Sequence, residues 1–136
     1  MRYTNQKCPE DMLSLALTHL DNAYAPYSGY RVAAALRDEM GRVFVGVNVE
    51  NSSYGLTVCA ERVAVFNAVT SGARRFKEIL VVAKGPNPPI PCGACLQVLS
   101  EFVEDDMEVY VATVDGHCES FKLSELLPKP FKLRPT

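Results

Sequence analysis

The chain has 136 residues, 48% apolar and 22% charged, with a net charge of −2 from 14 Lys and Arg against 16 Asp and Glu. That length suits one domain, 1–136, able to bury about two thirds of the surface its unfolded chain exposes. The cations are scattered, which argues against nucleic acid as a partner, and no stretch approaches the roughly 18 apolar residues of a membrane span, so a cytoplasmic protein acting on a small uncharged molecule is expected.

The first nine residues, Met1 to Pro9, lack the apolar run of a secretory leader. After Pro9, which suits a first helical turn, Leu13, Ala16, Leu17, Leu20 and Tyr24 recur at helical spacing, so an amphipathic helix is expected from Pro9 to Tyr24. Ala25-Pro26-Tyr27-Ser28-Gly29 ends it. Tyr30, Val32, Ala34 and Leu36 then alternate with Arg31, Ala33, Ala35 and Arg37. Beyond a turn at Asp38 to Gly41, Val43, Val45, Val47 and Val49 alternate with Phe44, Gly46, Asn48 and Glu50. The two runs predict an antiparallel hairpin. Asn48 and Glu50 fall on one face, where they are either solvated or functional.

Ala60 to Val69, with Val63 and Phe66, is apolar almost all round and reads as a buried helix closed by Ser71-Gly72. Ile79 to Ala83 is a continuous apolar run of the kind found in a strand buried on both faces. A loop with four prolines follows, Gly85 to Pro91. Gly93 to Val103 returns to helical spacing, and Glu108 to Thr113 reads as a strand, so strand, helix and strand imply a parallel crossover. A short strand around Phe121 and a helical turn at Ser124 to Leu127 lead to a proline-rich tail, with disorder expected only at the two ends. The fold class is α/β, a mixed sheet covered by helices.

Five cysteines, an odd number, in a chain without a leader read as metal ligands plus spare thiols rather than a disulfide framework, with Cys8 and Cys118 the spares. Cys59 begins one predicted helix, and Cys92 with Cys95 begins another. Helix starts favour thiolates, because backbone N–H groups and the helix dipole point at them. Three thiolates can hold Zn²⁺ and leave a fourth position for water or substrate, whereas sites that only hold structure use four protein ligands. A redox dithiol or a structural site is the plainer alternative for Cys92 and Cys95. Glu61, two residues past a ligand, can act as general acid and base beside such a water, or can simply complement the helix dipole. Three thiolates on Zn²⁺ sum to −1, and Arg62, three residues past Cys59 on the same helix, is placed to offset that charge.

Five ordered blocks resemble the small homotetrameric cytidine deaminases, almost end to end. They are Ala25-Pro26-Tyr27-Ser28, Asn48-Val49-Glu50-Asn51, Cys59-Ala60-Glu61-Arg62, Pro91-Cys92-Gly93-Ala94-Cys95 and Glu125-Leu126-Leu127-Pro128. The resemblance implies a mixed five-stranded sheet sandwiched between helices in three α-β-α layers, and one zinc per chain. It further implies hydrolytic deamination of cytidine and deoxycytidine at C4 to uridine and deoxyuridine, with release of ammonia, as in pyrimidine salvage. On that resemblance Glu61 would carry protons, Asn48 and Glu50 would bind sugar hydroxyls, and Tyr30 and Ala60 would belong to the substrate site. Tyr54 and Phe131 would complete a neighbouring subunit's pocket, so that activity needs the homotetramer.

Tyr30 stands where the family usually has phenylalanine, Ala33 replaces a common glycine, and Leu96 replaces an arginine that usually follows the last ligand. Without that arginine, Arg62 carries more of the charge balance. Two competing readings are a deaminase of another cytosine nucleoside, such as a blasticidin-S-like compound, and a catalytically idle zinc scaffold. Ala94 argues against the first, since that family carries arginine between the last two cysteines, and Glu61 argues against the second.

Overall fold

The computed structural model describes residues 8–133. Residues 1–7 and 134–136 lie outside the described residues, and with them most of the expected leaderless N-terminus and the expected disorder at the ends.

Helix α1 runs over Glu10–His19, with Glu10 and Asp11 in the first turn and His19 in the last, which suits the helix dipole. It ends earlier than the spacing predicts. Leu20–Asn22 tightens into a 3₁₀ turn, and Tyr24 leaves the apolar stripe, half exposed, to bridge Val49. Strands β1 (Val32–Asp38) and β2 (Val43–Val47) form the expected antiparallel hairpin, with Ala34 opposite Gly46. The turn between them is held by Asp38, whose buried carboxylate accepts hydrogen bonds from Met40 N–H at 3.1 Å, Arg42 N–H at 2.8 Å and Arg42 Nε at 2.8 Å.

Helix α2 covers Ala60–Thr70, β3 Phe76–Ala83, α3 Gly93–Ser100, β4 Glu108–Thr113, β5 Cys118–Lys122 and α4 Leu123–Leu126. The five strands form one sheet in the order β2-β1-β3-β4-β5. β3 and β4 are parallel across α3, and the other neighbours are antiparallel. Ile79 to Ala83 are fully buried, as their unbroken apolar run requires of a central strand.

The sheet divides the core in two. On one face Ala34, Leu36, Ile79, Val81, Val109 and Val111 pack against α2, α3 and α4. On the other, Ala33, Ala35, Leu80, Val82 and Ala112 pack against Met12, Ala16 and Leu20 of the N-terminal helical segment. These are the three α-β-α layers that the motif blocks imply. Leu96 extends the core stripe with Leu99. It does not approach the site as a polar group.

Two expectations need correction. Helix α2 is not buried all round: Ala60, Glu61, Ala64, Val65 and Ala68 face inward, while Phe66 is 52% exposed on the outer side. Its apolar composition reflects two surfaces rather than one enclosing core. Cys8 and Cys118 are not spare thiols but a disulfide, with Cα atoms 5.8 Å apart across 110 positions of sequence. The topology brings Cys8, two residues ahead of α1, beside the start of β5, a juxtaposition that counting cysteines does not reveal.

Candidate metal centre and adjoining cavity

The local sequence at two helix starts builds the centre. Cys59 is the N-cap of α2 and Cys92 the N-cap of α3, both with extended backbone, and Cys95 sits in the first turn of α3. The three sulfurs lie within 4.8 Å of one another. A tetrahedral Zn²⁺ with bonds of about 2.3 Å separates its sulfur ligands by roughly 3.8 Å, so the three thiols suit that ion in spacing and in donor chemistry. Cys92 Sγ donates to Cys95 Sγ at 3.5 Å, and Arg62 Nη2 donates to Cys59 Sγ at 3.4 Å. The arginine is thus where the charge argument requires it, and its buried Nε has no hydrogen-bond partner among the described residues.

Hydrogen bonding from Cys95, then from Arg62 and Cys92, holds the Cys59 thiol down at about 5, against the opposing effect of burial. Cys95 moves the other way: its proton is held in the bond to Cys59, and burial and the nearby Glu61 charge hold it further. One thiolate therefore forms readily, and a metal must displace the remaining protons as it binds.

Glu61 lies one residue inside α2, only 5% exposed. Burial, reinforced by the Cys59 charge, raises its carboxyl above the ordinary range, while its own N–H and Cys95 pull the other way. A carboxyl so placed is readily protonated and poised for proton transfer.

A cavity of about 360 Å³ adjoins the centre, and Glu61, Cys59, Cys92 and Ala60 share its wall with Tyr30, Asn48 and Glu50. Asn48 is largely committed to the protein: its Oδ1 accepts from Val32 N–H at 2.9 Å and its Nδ2 donates to Tyr30 C=O at 2.8 Å. Glu50 Oε1 accepts from Tyr27 N–H at 3.0 Å and Ser28 N–H at 3.1 Å, and Oε2 accepts from Ser28 Oγ. These bonds leave one amide hydrogen and one lone pair of Asn48, and about one lone pair of Glu50, for a ligand. Tyr54 belongs to a neighbouring cavity of about 330 Å³ that shares Ser28, Glu50 and Thr57. Phe131 lies elsewhere, tied to Gln97 through its backbone N–H at 3.0 Å and C=O at 2.8 Å.

Sequence reasoning missed Ser28 as the anchor of Glu50, and Pro89 and Ile90 as cavity walls. The four-proline loop was the available signal, since a loop stiffened by fixed φ angles can hold a wall in place.

A three-layer α/β fold that gathers three thiols at two helix starts, beside a buried carboxyl and an open cavity, defines a class of thiolate metal centre suited to zinc. Residues 6–113 match the family model described as the cytidine and deoxycytidylate deaminase zinc-binding region. A cytidine deaminase of Sporosarcina psychrophila is 47% identical over 82% of this chain and 82% of its own. One from Halalkalibacterium halodurans is 44% identical over 88% of this chain and 91% of its own. The crystal structure of cytidine deaminase from Burkholderia pseudomallei superposes with a TM-score of 0.85 at 41% identity, covering 91% of this chain and 99% of that one. The chain belongs to the cytidine and deoxycytidylate deaminase zinc-binding family, and its cofactor is zinc.

Proposed function

We infer that this protein is an enzyme that converts cytidine and water to uridine and ammonia, and deoxycytidine likewise, within a single domain spanning 1–136. One observation carries the reading: the cavity that adjoins the thiols also has Glu61 in its wall and is large enough for a nucleoside. Cys59, Cys92 and Cys95 would hold the ion, and Zn²⁺ when bound supplies the Lewis acidity that makes a water nucleophilic near neutral pH. Arg62 offsets the surplus thiolate charge. Glu61 takes one proton from the attacking water and gives it to N3 of the cytosine ring, then takes the second proton from the new C4 hydroxyl and gives it to the amine, which leaves as ammonia when the C4–N bond breaks. Asn48 and Glu50 meet the sugar hydroxyls with their remaining hydrogen-bonding capacity, and the Ala60 backbone lies beside the base.

The assembly proposed with this activity is a homotetramer. Tyr54 and Phe131 are 80% and 68% exposed, and surfaces of that kind favour contact with a second copy. Among the described residues no helix is long and apolar enough to cross a membrane. The proposed compartment is the cytoplasm, whose reducing pool keeps ligand thiols available and works against the Cys8–Cys118 bridge.

The test is Glu61→Gln assayed by loss of cytosine absorbance, with zinc measured on the same sample. The variant is expected to keep its fold and its zinc and to lose activity by about 10³-fold or more, since positioned acid–base groups contribute on the order of 10² to 10⁴. Full activity in that variant sinks the role of Glu61, and no turnover by the zinc-loaded parent protein sinks the activity itself.

A further inference from the structure

Ser28 closes the Ala25-Pro26-Tyr27-Ser28 block, and its side chain takes no part in holding the metal or moving protons. Its hydroxyl nevertheless sits between two fixed neighbours: it accepts from Tyr30 N–H at 3.0 Å and donates to Glu50 Oε2. An N–H can only donate and a carboxylate can only accept, so the one hydroxyl proton is committed to Glu50. The turn that carries Ser28 is tied to the chain on both sides of Glu50. Tyr24 C=O accepts from Glu50 N–H at 2.9 Å, and the Tyr27 phenol bonds Ser52 Oγ at 2.6 Å.

This clamp decides what Glu50 can offer a ligand. Tyr27 N–H and Ser28 N–H reach Oε1 at 3.0 Å and 3.1 Å and fill both its lone pairs, whereas at Oε2 Ser28 Oγ occupies one of two. The acceptor position that remains is on Oε2, and Ser28 Oγ sets its direction. The Ser28 hydroxyl bond, then the Ser28 N–H bond, also holds the Glu50 carboxyl below its ordinary value, so that acceptor is anionic at neutral pH. Ser28, Glu50 and Thr57 line both the 360 Å³ cavity and the neighbouring one of 330 Å³, while Cys59, Glu61 and Cys92 line only the first. The clamp therefore stands where the two cavities meet. A nucleoside with its base at the thiols places its sugar there.

We propose that Ser28 is a positioning residue for nucleoside binding: its hydroxyl aims the free acceptor of Glu50 Oε2 at one sugar hydroxyl, and it acts only through Glu50. This rests on the nucleoside reading given above. An acceptor aimed at a hydroxyl that does not react holds substrate, product and transition state alike, so its misplacement raises KM and leaves kcat.

The experiment is a double-mutant cycle of Ser28→Ala and Glu50→Ala, with all four proteins zinc-loaded and compared in thermal midpoint. Ser28 is exposed, so alanine there opens no cavity in the core. Steady-state kinetics are measured on cytidine and deoxycytidine, and uridine binding by calorimetry. Ser28→Ala is expected to raise KM for both substrates and Kd for uridine by about fivefold to tenfold, the size of one net hydrogen bond, with kcat changed less than about twofold. In the Glu50→Ala background the same substitution should change KM and Kd by less than about twofold, because the group it positions is gone. Parent-like KM and Kd in Ser28→Ala overturn the proposal. An equal loss in both backgrounds overturns it too, because Ser28 then acts through the turn or touches the ligand itself. If the parent binds uridine but turns over no cytidine, the deaminase reading falls, and the calorimetric cycle still decides the role of Ser28; if the parent binds no uridine, both fall.

Discussion

Gly46 is the position where the sheet and helix α2 touch backbone to backbone. A Cβ built there would lie 2.3 Å from Ala64 N, 2.5 Å from Ala60 O and 2.9 Å from Ala64 Cα. Carbon makes comfortable contact at about 3.5 Å or beyond, so Gly46→Ala requires α2 to retreat from β2 by about 1 Å. The obstructing atoms belong to helix backbone, and no side-chain rotation relieves them. Overpacking in a filled core costs about 1–3 kcal/mol, and this case belongs at the upper end. For a domain of this size, a loss of about 3 kcal/mol lowers the thermal midpoint by roughly 10 °C. The same retreat carries Cys59 and Glu61, which are fixed to the start of α2, away from the thiols of α3. Thermal unfolding and zinc retention against a chromogenic chelator test both consequences on one sample. Gly55→Ala is the control, because a Cβ at Gly55 meets nothing within 4 Å. Parent-like stability and zinc retention in Gly46→Ala would refute the close approach and the claim that β2 sets the position of the helix.

The Cys8–Cys118 bridge closes a loop of 110 residues. Chain entropy alone assigns such a loop about 5 kcal/mol, and measured bridges usually deliver about 2–4 kcal/mol, so a phosphine reductant or Cys118→Ser should lower the urea midpoint without changing bound zinc; a parent midpoint indifferent to reductant would contradict the bridge. Asp38 pays for burial but accepts hydrogen bonds and charge from Arg42 and an N–H from Met40, which together hold its carboxyl below the ordinary value. Its folded pKa is depressed, so its contribution is complete above the unfolded value near 4 and is lost as pH falls through the lower folded value. Asp38→Asn should therefore be less stable than the parent by about 1–3 kcal/mol at pH 7, with the gap closing below about pH 4, as denaturant melts across pH would read; a gap independent of pH would remove the charge from the explanation.

What the sequence made legible were the features encoded within a few residues. The unbroken run from Ile79 to Ala83 could only be a strand with both faces covered, and its full burial follows. The two alternating runs, one rich in alanine and one in valine, paired in the expected antiparallel sense. The metal centre was legible for the same reason: a cysteine opening each of two helices, with a second cysteine one turn on, specifies where three sulfurs point once those helix starts meet. Features set by distant segments were not legible. Gly46 looks like any small residue in a strand until α2 is laid across it. Asn48 and Glu50 read as free polar groups, whereas much of their hydrogen-bonding capacity holds the segment from Tyr27 to Val32. Phe66 reads as core only because composition cannot say how many sides of a helix are covered.

The five cysteines show why topology, rather than count, decides what a thiol does. Cys8 and Cys118 lie in the core beneath α1, while Cys59, Cys92 and Cys95 belong to α2 and α3 on the opposite face of the sheet. Between the two sets stand β1, β3 and β4, joined by hydrogen-bonded ladders that are regular from Val32 to Arg37 and across β3–β4, and buried through their central residues. Exchange between a thiolate and a disulfide needs the attacking sulfur to reach the bridge, and the filled core between sheet and helices leaves no path for that in the folded state. The depressed Cys59 thiol would otherwise be the natural attacker of the bridge. The sheet thus keeps the bridge and the metal ligands chemically independent, so reducing the first need not disturb the second.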